Sequence, residues 1–223
     1  MGKLLLPLAG IGGISAAAVG GYIVFGRDNK AISTMKEATF KSKYSQAILP
    51  NESNLWASKL EALKGDGNPI HKKLEEAKKK AQTETGGTSQ PQAKQLLMDG
   101  CKAIYDSQLK DSPYEKDFKS YCSKTIKDGI TGTLLAGGHT GSGTKWDQGL
   151  TNLKDKSNEK LDSALRDLKG KLTSGSRTTF DDSQRQSLKN WCEASQKEIF
   201  MGETDSRFIN SKLYCVESAT VSS

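Results

Sequence analysis

The chain has 223 residues, of which 35% are hydrophobic and 26% are charged, and its formal net charge at pH 7 is +7. This apolar fraction is low but sufficient for small helical cores, so a wholly disordered chain is excluded. Residues 1–47 carry six basic and two acidic side chains, a net charge of +4, which leaves +3 for the rest. A nucleic-acid-binding domain needs a basic face on its folded part, so this distribution argues against nucleic-acid binding.

The N-terminal segment Leu4–Gly26 contains no charged residue. Twenty-three residues at the helical rise reach roughly 30 Å, so the segment predicts a transmembrane helix within residues 1–26 that acts as an uncleaved signal anchor. Ala16–Ala18 offers the alternative of a cleaved signal peptide. Small residues spaced by four let two such helices approach closely, and the segment has them at Ala9, Gly13, Ala17 and Gly21.

The rest of the chain repeats itself at a spacing of about 90 residues. The pattern W-x3-L-x2-L-K occurs twice, and each copy is followed by a Leu-x3-Cys pattern and then by a Tyr-Cys pair. Offsets of 90, 91, 91 and 93 residues relate the tryptophans, the leucines, the first cysteines and the second cysteines. We interpret the pattern as two copies of one structural unit, with landmarks at Trp56, Leu60, Leu63, Trp146, Leu150 and Leu153.

Each tryptophan and its two leucines stand at positions i, i+4 and i+7, on one face of a helix. Further apolar stripes at helical spacing predict four helices per module. The predicted fold class is all-α: an N-terminal transmembrane helix, then two tandem, internally duplicated four-helix modules, each with a Cys-linked helical hairpin. The predicted boundaries are 1–26 for the membrane helix, 27–49 for a basic juxtamembrane segment, 50–128 for module 1, 129–144 for a flexible glycine-rich linker, 145–217 for module 2 and 218–223 for the tail.

Two helix starts in module 1 have specific signals. Asn68 and Pro69 supply an N-cap and a proline at the first helical position, which predicts that the second helix begins there. The run Ser112–Glu115 has the pattern of a capping box with an internal proline, which predicts the start of the fourth helix.

The four cysteines are spaced for two disulfides. The midpoint between Cys101 and Cys122 falls on the predicted turn of a helical hairpin, and so does the midpoint between Cys192 and Cys215. Residues equidistant from such a turn lie at the same height, so their Cα atoms can approach within the roughly 4.4–6.8 Å that a disulfide needs. Two bridges would place the modules in an oxidising exterior.

The alternative is four buried, reduced cysteines in a protein whose body faces the cytoplasm. The positive-inside rule favours this orientation, because only Lys3 precedes the apolar segment. Five basic residues follow it, at Arg27, Lys30, Lys36, Lys41 and Lys43.

A search for catalytic or metal-binding patterns gives no candidate. Neither His71 nor His139 has a cysteine or carboxylate at metal-ligand spacing, and the second module contains no histidine that could activate a duplicated cysteine nucleophile. The glycine-rich run before Lys145 departs from a phosphate-binding loop because Thr144 intrudes. The sequence predicts no catalytic residue, no cofactor and no metal.

Several short motifs resemble the paralogous membrane-protein families of haemotropic mycoplasmas. They are Leu4–Leu6 with the glycine-rich span, Trp56, Trp146, the run Leu188–Cys192 and the pair Tyr214–Cys215. The first copy departs from the pattern, since Gly100 rather than Trp precedes its cysteine. The resemblance implies a surface protein of a wall-less parasite that lives on red cells, and it brings no catalytic residues.

Together these features predict a single-pass cell-membrane protein whose body is extracellular, of binding or antigenic type and without catalysis. The expected partners are the lipid bilayer and either a host-surface molecule or a second copy of the chain. One alternative is a cytoplasm-facing scaffold that contacts anionic lipid through residues 27–43. The other is a membrane-tethered hydrolase.

Overall fold

The computed structural model describes residues 37–65, 67–84, 90–156, 160–173 and 179–217. The predicted membrane segment Leu4–Gly26, with Ala9, Gly13, Ala17 and Gly21, lies outside these residues, as does the tail at 218–223. Among the helices in the described part, none has the length and apolar character needed to cross a bilayer.

The described residues form helices and short connections without a β-sheet, so the all-α prediction is confirmed. The N-terminal half (residues 37–123) contains α1 (Phe40–Lys43), α2 (Leu55–Lys64), α3 (Lys72–Thr83), α4 (Pro91–Asp106) and α5 (Glu115–Asp117), which continues as a π-helical turn at Phe118–Cys122. The C-terminal half (residues 124–217) contains α6 (Ile126–Gly129), α7 (Lys145–Asp155), α8 (Ser163–Thr173), α9 (Asp182–Gln196) and α10 (Ser206–Tyr214).

Each half has its own hydrophobic core, and the tryptophan helix lies in it. The six repeat landmarks are all buried, since apolar residues at helical spacing present one face to the neighbouring helices. Trp56 donates its indole N–H to the carbonyl of Pro50 at 2.9 Å, and Trp146 donates to the carbonyl of Gly137 at 3.3 Å. Each tryptophan therefore anchors the loop that precedes its own helix.

A short extended segment ahead of each tryptophan helix pairs with the residue directly after the second cysteine. Ile48 forms an antiparallel bridge with Ser123, and Leu134 forms one with Val216. The residues that follow, Leu49 and Leu135, are each only 4% exposed. The contacts that the two halves share therefore begin several residues before the tryptophan helices.

The predicted glycine-rich linker at 129–144 makes several hydrogen bonds to the rest of the C-terminal half, and its flexibility stays a prediction. The N–H of Leu135 donates to the carbonyl of Cys215, and the N–H of Glu217 donates to that of Thr133, both at 2.8 Å. The glycines further along are also held, because the N–H groups of Gly141 and Gly143 donate to carboxylates on α9 and α7. Glycine supplies positive φ angles in this segment, of +82° and +80° at these two positions.

The two predicted helix starts are corrected by the structure. α3 begins at Lys72 rather than at Pro69, because the buried carboxylate of Asp117 accepts the N–H groups of Ile70 and His71, each at 2.8 Å. Before α5, the hydroxyl of Ser112 accepts from the N–H of Tyr114 at 3.2 Å, and no side chain caps the helix.

Complete capping boxes occur instead at α1, α6 and α9. Those at α1 and α6 are formed by Thr39 with Ser42 and by Thr125 with Asp128, and they lie 86 residues apart in the chain. Each short helix buries one apolar residue, Phe40 or Ile126. The two halves therefore open with the same one-turn helix.

Candidate functional site at the junction of the two halves

In each half a disulfide links the long helix to the end of the last helical segment. Cys101 bonds to Cys122 with a Cα–Cα distance of 5.2 Å, and Cys192 bonds to Cys215 with a distance of 5.7 Å. All four side chains are buried in the core of their own half. The two predicted pairings are confirmed, and the chain that leaves Cys122 enters the C-terminal half directly.

Backbone hydrogen bonds join the halves at that point. Thr125 forms an antiparallel bridge with Ile199, in the loop between α9 and α10. The N–H of Ile126 donates to the carbonyl of Glu198 at 2.9 Å, and the N–H of Phe200 donates to that of Lys124 at 2.9 Å. Because these bonds use the main chain, they fix the loop against the connecting segment whatever the side chains are.

Two ion pairs cross the same junction. Lys119 Nζ lies 2.8 Å from Glu198 Oε2, with both side chains partly exposed. Lys59 Nζ lies 3.1 Å from Asp128 Oδ2, and these side chains are only 8% and 17% exposed. The second pair is therefore shielded from solvent, so removing one partner would leave a buried charge uncompensated and would cost more than breaking a surface pair.

Asp128 combines a capping role with this ion pair. Burial by itself raises the pKa of its carboxyl group. The N–H and hydroxyl of Thr125 and the charge of Lys59 act in the opposite direction and prevail, so the pKa of Asp128 lies below its usual value. The carboxylate form is thus built into the junction.

Aromatic packing fills the space beneath these polar contacts. The rings of Phe200 and Phe208 meet edge to face at 4.9 Å, and Lys124 Nζ lies 4.2 Å from the centre of the Phe200 ring. A Cβ atom at Gly129 would lie 2.9 Å from that ring, so the absence of a side chain allows α6 to approach it.

Two grooves flank the Lys119–Glu198 ion pair. The larger, which we call the basic groove, has a volume of about 700 Å³ and is lined by Lys119, Ser120, Thr125, Lys127, Glu193, Gln196 and Lys197. The smaller, of about 390 Å³, is lined partly by apolar side chains, including Tyr44, Ile199 and Met201. Lys119 lines both grooves.

The residues examined for metal or nucleophile chemistry lie elsewhere and apart from one another. His71 stands at the start of α3 and packs edge-on against Tyr114 at 5.0 Å, and burial lowers the pKa of its imidazole. His139 lies in the glycine-rich loop. No cluster of histidine, cysteine or acidic side chains suited to a metal ion occurs in the described ranges.

Two amide groups of the glycine-rich loop donate hydrogen bonds to carboxylates of the protein itself. Gly141 N–H donates to Asp182 Oδ1 at 2.9 Å, and Gly143 N–H donates to Asp147 Oδ2 at 2.7 Å. Both carboxylates also accept from the buried guanidinium of Arg185, at 2.6 Å for Asp147 and 2.7 Å for Asp182. Hydrogen bonding to Asp147 is the main reason why the pKa of Arg185 is raised. The amide groups of Gly141 and Gly143 therefore already donate to carboxylates, which leaves neither for an anion.

Asp117 and Asn210 are two buried polar residues that the sequence analysis missed. Each stands five residues before the second cysteine of its half. The offset of 93 residues between Tyr121–Cys122 and Tyr214–Cys215 relates them as well. Applying the offset of 93 residues to polar residues near the second cysteines would have related Asp117 to Asn210.

The fold and the junction define a disulfide-linked all-α protein with a concave surface between its two halves. Comparison of the chain with protein-family models, with curated proteins and with solved structures gives no match.

Proposed function

We propose that the chain is a membrane-anchored, surface-exposed helical protein of binding or antigenic type, built from two copies of one disulfide-linked module, and not an enzyme. The observation that carries the proposal is that all four cysteines are bonded in two pairs and none is free. Disulfides form and persist in oxidising compartments, whereas cytosolic thiols are kept reduced. The pairing thus favours an exported body.

Equivalent contacts in the two halves support the duplicated module. The indole bonds of Trp56 and Trp146 recur, and so do the bridges of Ile48 and Leu134 with the residues after the second cysteines. Small helical units of this size gain a large share of their stability from a disulfide. Such a scaffold can display a binding surface without carrying catalytic groups.

The anchor part of the proposal rests on the sequence of Leu4–Gly26. Its uncharged length suits a bilayer core, and its small residues at spacing four suit contact between two such helices. The resemblance to surface families of haemotropic mycoplasmas agrees with an external body and remains part of the proposal.

A cytoplasm-facing scaffold is the second candidate, because the basic residues that follow the apolar segment outnumber those before it. Two of them, Lys41 and Lys43, are exposed at α1. In this arrangement they would lie near the anionic inner leaflet and attract it. Neutralising them would then weaken binding to vesicles that contain phosphatidylserine.

The mass of the protein taken from intact cells decides between the two orientations. The protein is denatured and alkylated with and without prior reduction. The surface proposal expects four added alkyl groups only after reduction, and it expects peptides that join Cys101 to Cys122 and Cys192 to Cys215. Four alkyl groups without reduction would overturn it and favour the cytoplasmic scaffold.

Protease added to intact cells gives an independent test. An external body should be cut while a known cytoplasmic protein in the same cells stays whole. Resistance of the chain in intact cells, followed by cleavage after lysis, would contradict surface exposure.

A further inference from the structure

We propose that the basic groove binds an acidic oligosaccharide, one that carries sulfate or carboxylate groups. The inference deepens the binding function proposed above and depends on it. Its starting point is the surplus of positive charge in a concave surface between the two halves. The groove's volume of about 700 Å³ lies within the range of about 300–1,000 Å³ found for ligand sites.

The acidic side chains at the groove are already neutralised. Glu193 pairs with Lys189 at 2.5 Å, and Glu198 pairs with Lys119 at 2.8 Å. Asp128, next to Lys127 in the chain, pairs with Lys59. An approaching anion would therefore meet little repulsion from these carboxylates.

Two lysines in the groove have charges to offer. Within the described part of the chain, neither Lys127 nor Lys197 forms an ion pair, and both side chains are exposed. They come from two different elements of the C-terminal half, since Lys127 is in α6 and Lys197 is the C-cap of α9. A ligand that spans the groove would contact both.

The remaining lining favours a carbohydrate over an acidic polypeptide. Ser120 and Gln196 present a hydroxyl and an amide that can donate to or accept from sugar hydroxyl groups. Protein partners are usually anchored by aromatic or large apolar side chains in pockets, and the lining of the basic groove contains neither type. A hydrophilic chain with regularly spaced negative charges suits this surface better.

The junction also orders the backbone next to the two lysines. Backbone hydrogen bonds hold Ile126 to Glu198, and the capping box of Thr125 and Asp128 fixes the start of α6. A ligand would thus meet a backbone that is already ordered, so its binding would cost only the ordering of the two lysine side chains.

The test measures binding of the full chain to a heparin-derived octasaccharide by calorimetry at low salt. The wild-type chain should bind, and its affinity should fall as salt is added, because the contacts are between exposed charges. The double variant K127E/K197E should bind about tenfold or more weakly, since two exposed ion pairs become repulsive. Its unfolding midpoint should stay near the wild-type value, which separates lost binding from lost folding.

A matched control variant, K79E/K102E, makes the same change in net charge on α3 and α4, where both lysines are exposed and line neither groove. Its affinity should stay within about twofold of wild type. An equal loss in the control, or no binding by wild type, would overturn the proposal. Stronger binding of a polyglutamate peptide than of the octasaccharide would overturn the carbohydrate assignment.

The two proposals fail separately. The groove experiment uses purified protein and does not depend on orientation, whereas the alkylation experiment reports on disulfides and not on ligands. Absence of octasaccharide binding together with two disulfides would leave the surface protein standing and remove only this inference. Free thiols in the cell would overturn the proposed surface exposure, and the groove would then not face an external oligosaccharide.

Discussion

Asp117 and Asn210 occupy the same place in the two halves of the molecule, 93 residues apart, and both are completely buried. Each ties the loop in front of the second large helix of its half to the last helical segment. Asp117 accepts the N–H groups of Ile70 and His71, whereas Asn210 donates from Nδ2 to the carbonyl of Lys160 at 3.1 Å. The same position thus ties the same loop in each half, through carboxylate acceptance at Asp117 and amide donation at Asn210.

Replacing Asn210 with aspartate should destabilise the C-terminal half. The change removes the donor and brings a buried carboxylate to the carbonyl of Lys160, so we expect the free energy of unfolding to fall by about 2–4 kcal/mol. Urea denaturation followed by circular dichroism measures the change.

The matched control is Asp117→Asn in the other half, where the new amide oxygen can still accept the two N–H groups. The extra strength of a charged acceptor is lost, and the new amide NH2 replaces Asp117 Oδ1, a buried atom with no hydrogen-bond partner among the described residues, so we expect a cost of about 1–2 kcal/mol. Equal losses in the two variants would contradict the greater cost expected for losing the Asn210 donor.

Two helical glycines should respond to alanine with opposite signs. A Cβ atom at Gly149 in α7 would lie 2.6 Å from the carbonyl oxygen of Tyr214 and 2.8 Å from Leu188, so Gly149→Ala should lower the free energy of unfolding by about 1–3 kcal/mol. Gly170 in α8 has no atom within 4 Å of the same position, so Gly170→Ala should raise it by up to about 1 kcal/mol. Denaturation of the two variants side by side checks the signs, and a stabilising Gly149→Ala would show that α7 does not pack so closely.

The buried junction pair should make stability sensitive to acid. The pKa of Asp128 is lowered in the folded state, so its contribution is present above the unfolded value of about 4 and is lost as the pH falls through the folded value. Lys59→Met keeps the apolar stem and removes the charge, so the folded pKa of Asp128 should rise and the acid loss should begin at higher pH. At pH 7 we expect the free energy of unfolding to fall by about 1–3 kcal/mol. Unfolding curves between pH 2.5 and 7 measure both effects.

The control for this prediction is Arg207→Met, which breaks a more exposed ion pair. In that pair Arg207 Nη2 lies 2.8 Å from Asp162 Oδ2. Its cost at pH 7 should stay below about 1 kcal/mol. A larger loss for Arg207→Met than for Lys59→Met would mean that burial does not set the strength of these pairs.

Removing either disulfide should cost a similar amount of stability. The bridges close loops of similar length, with sequence separations of 21 and 23 residues. The variants C101A/C122A and C192A/C215A should each lose about 3 kcal/mol in the chain-entropy account. Guanidinium unfolding of the oxidised protein and of both variants measures the loss, and an unchanged midpoint in either variant would contradict a structural role for that bridge.

The sequence by itself determined the helical class, the buried landmarks and the cysteine pairings. Trp56 and Trp146 each begin an apolar stripe at helical spacing, and the two cysteines of each pair lie at equal distances from a predicted turn. Local periodicity and spacing were therefore sufficient to predict the helices, the buried positions and the pairings. Only the tertiary structure decided where each half begins, what holds the start of α3 and that the halves form a shared groove. These features depend on hydrogen bonds between residues far apart in the chain, such as Asp117 with His71 and Ile126 with Glu198, and no local pattern encodes such a pairing.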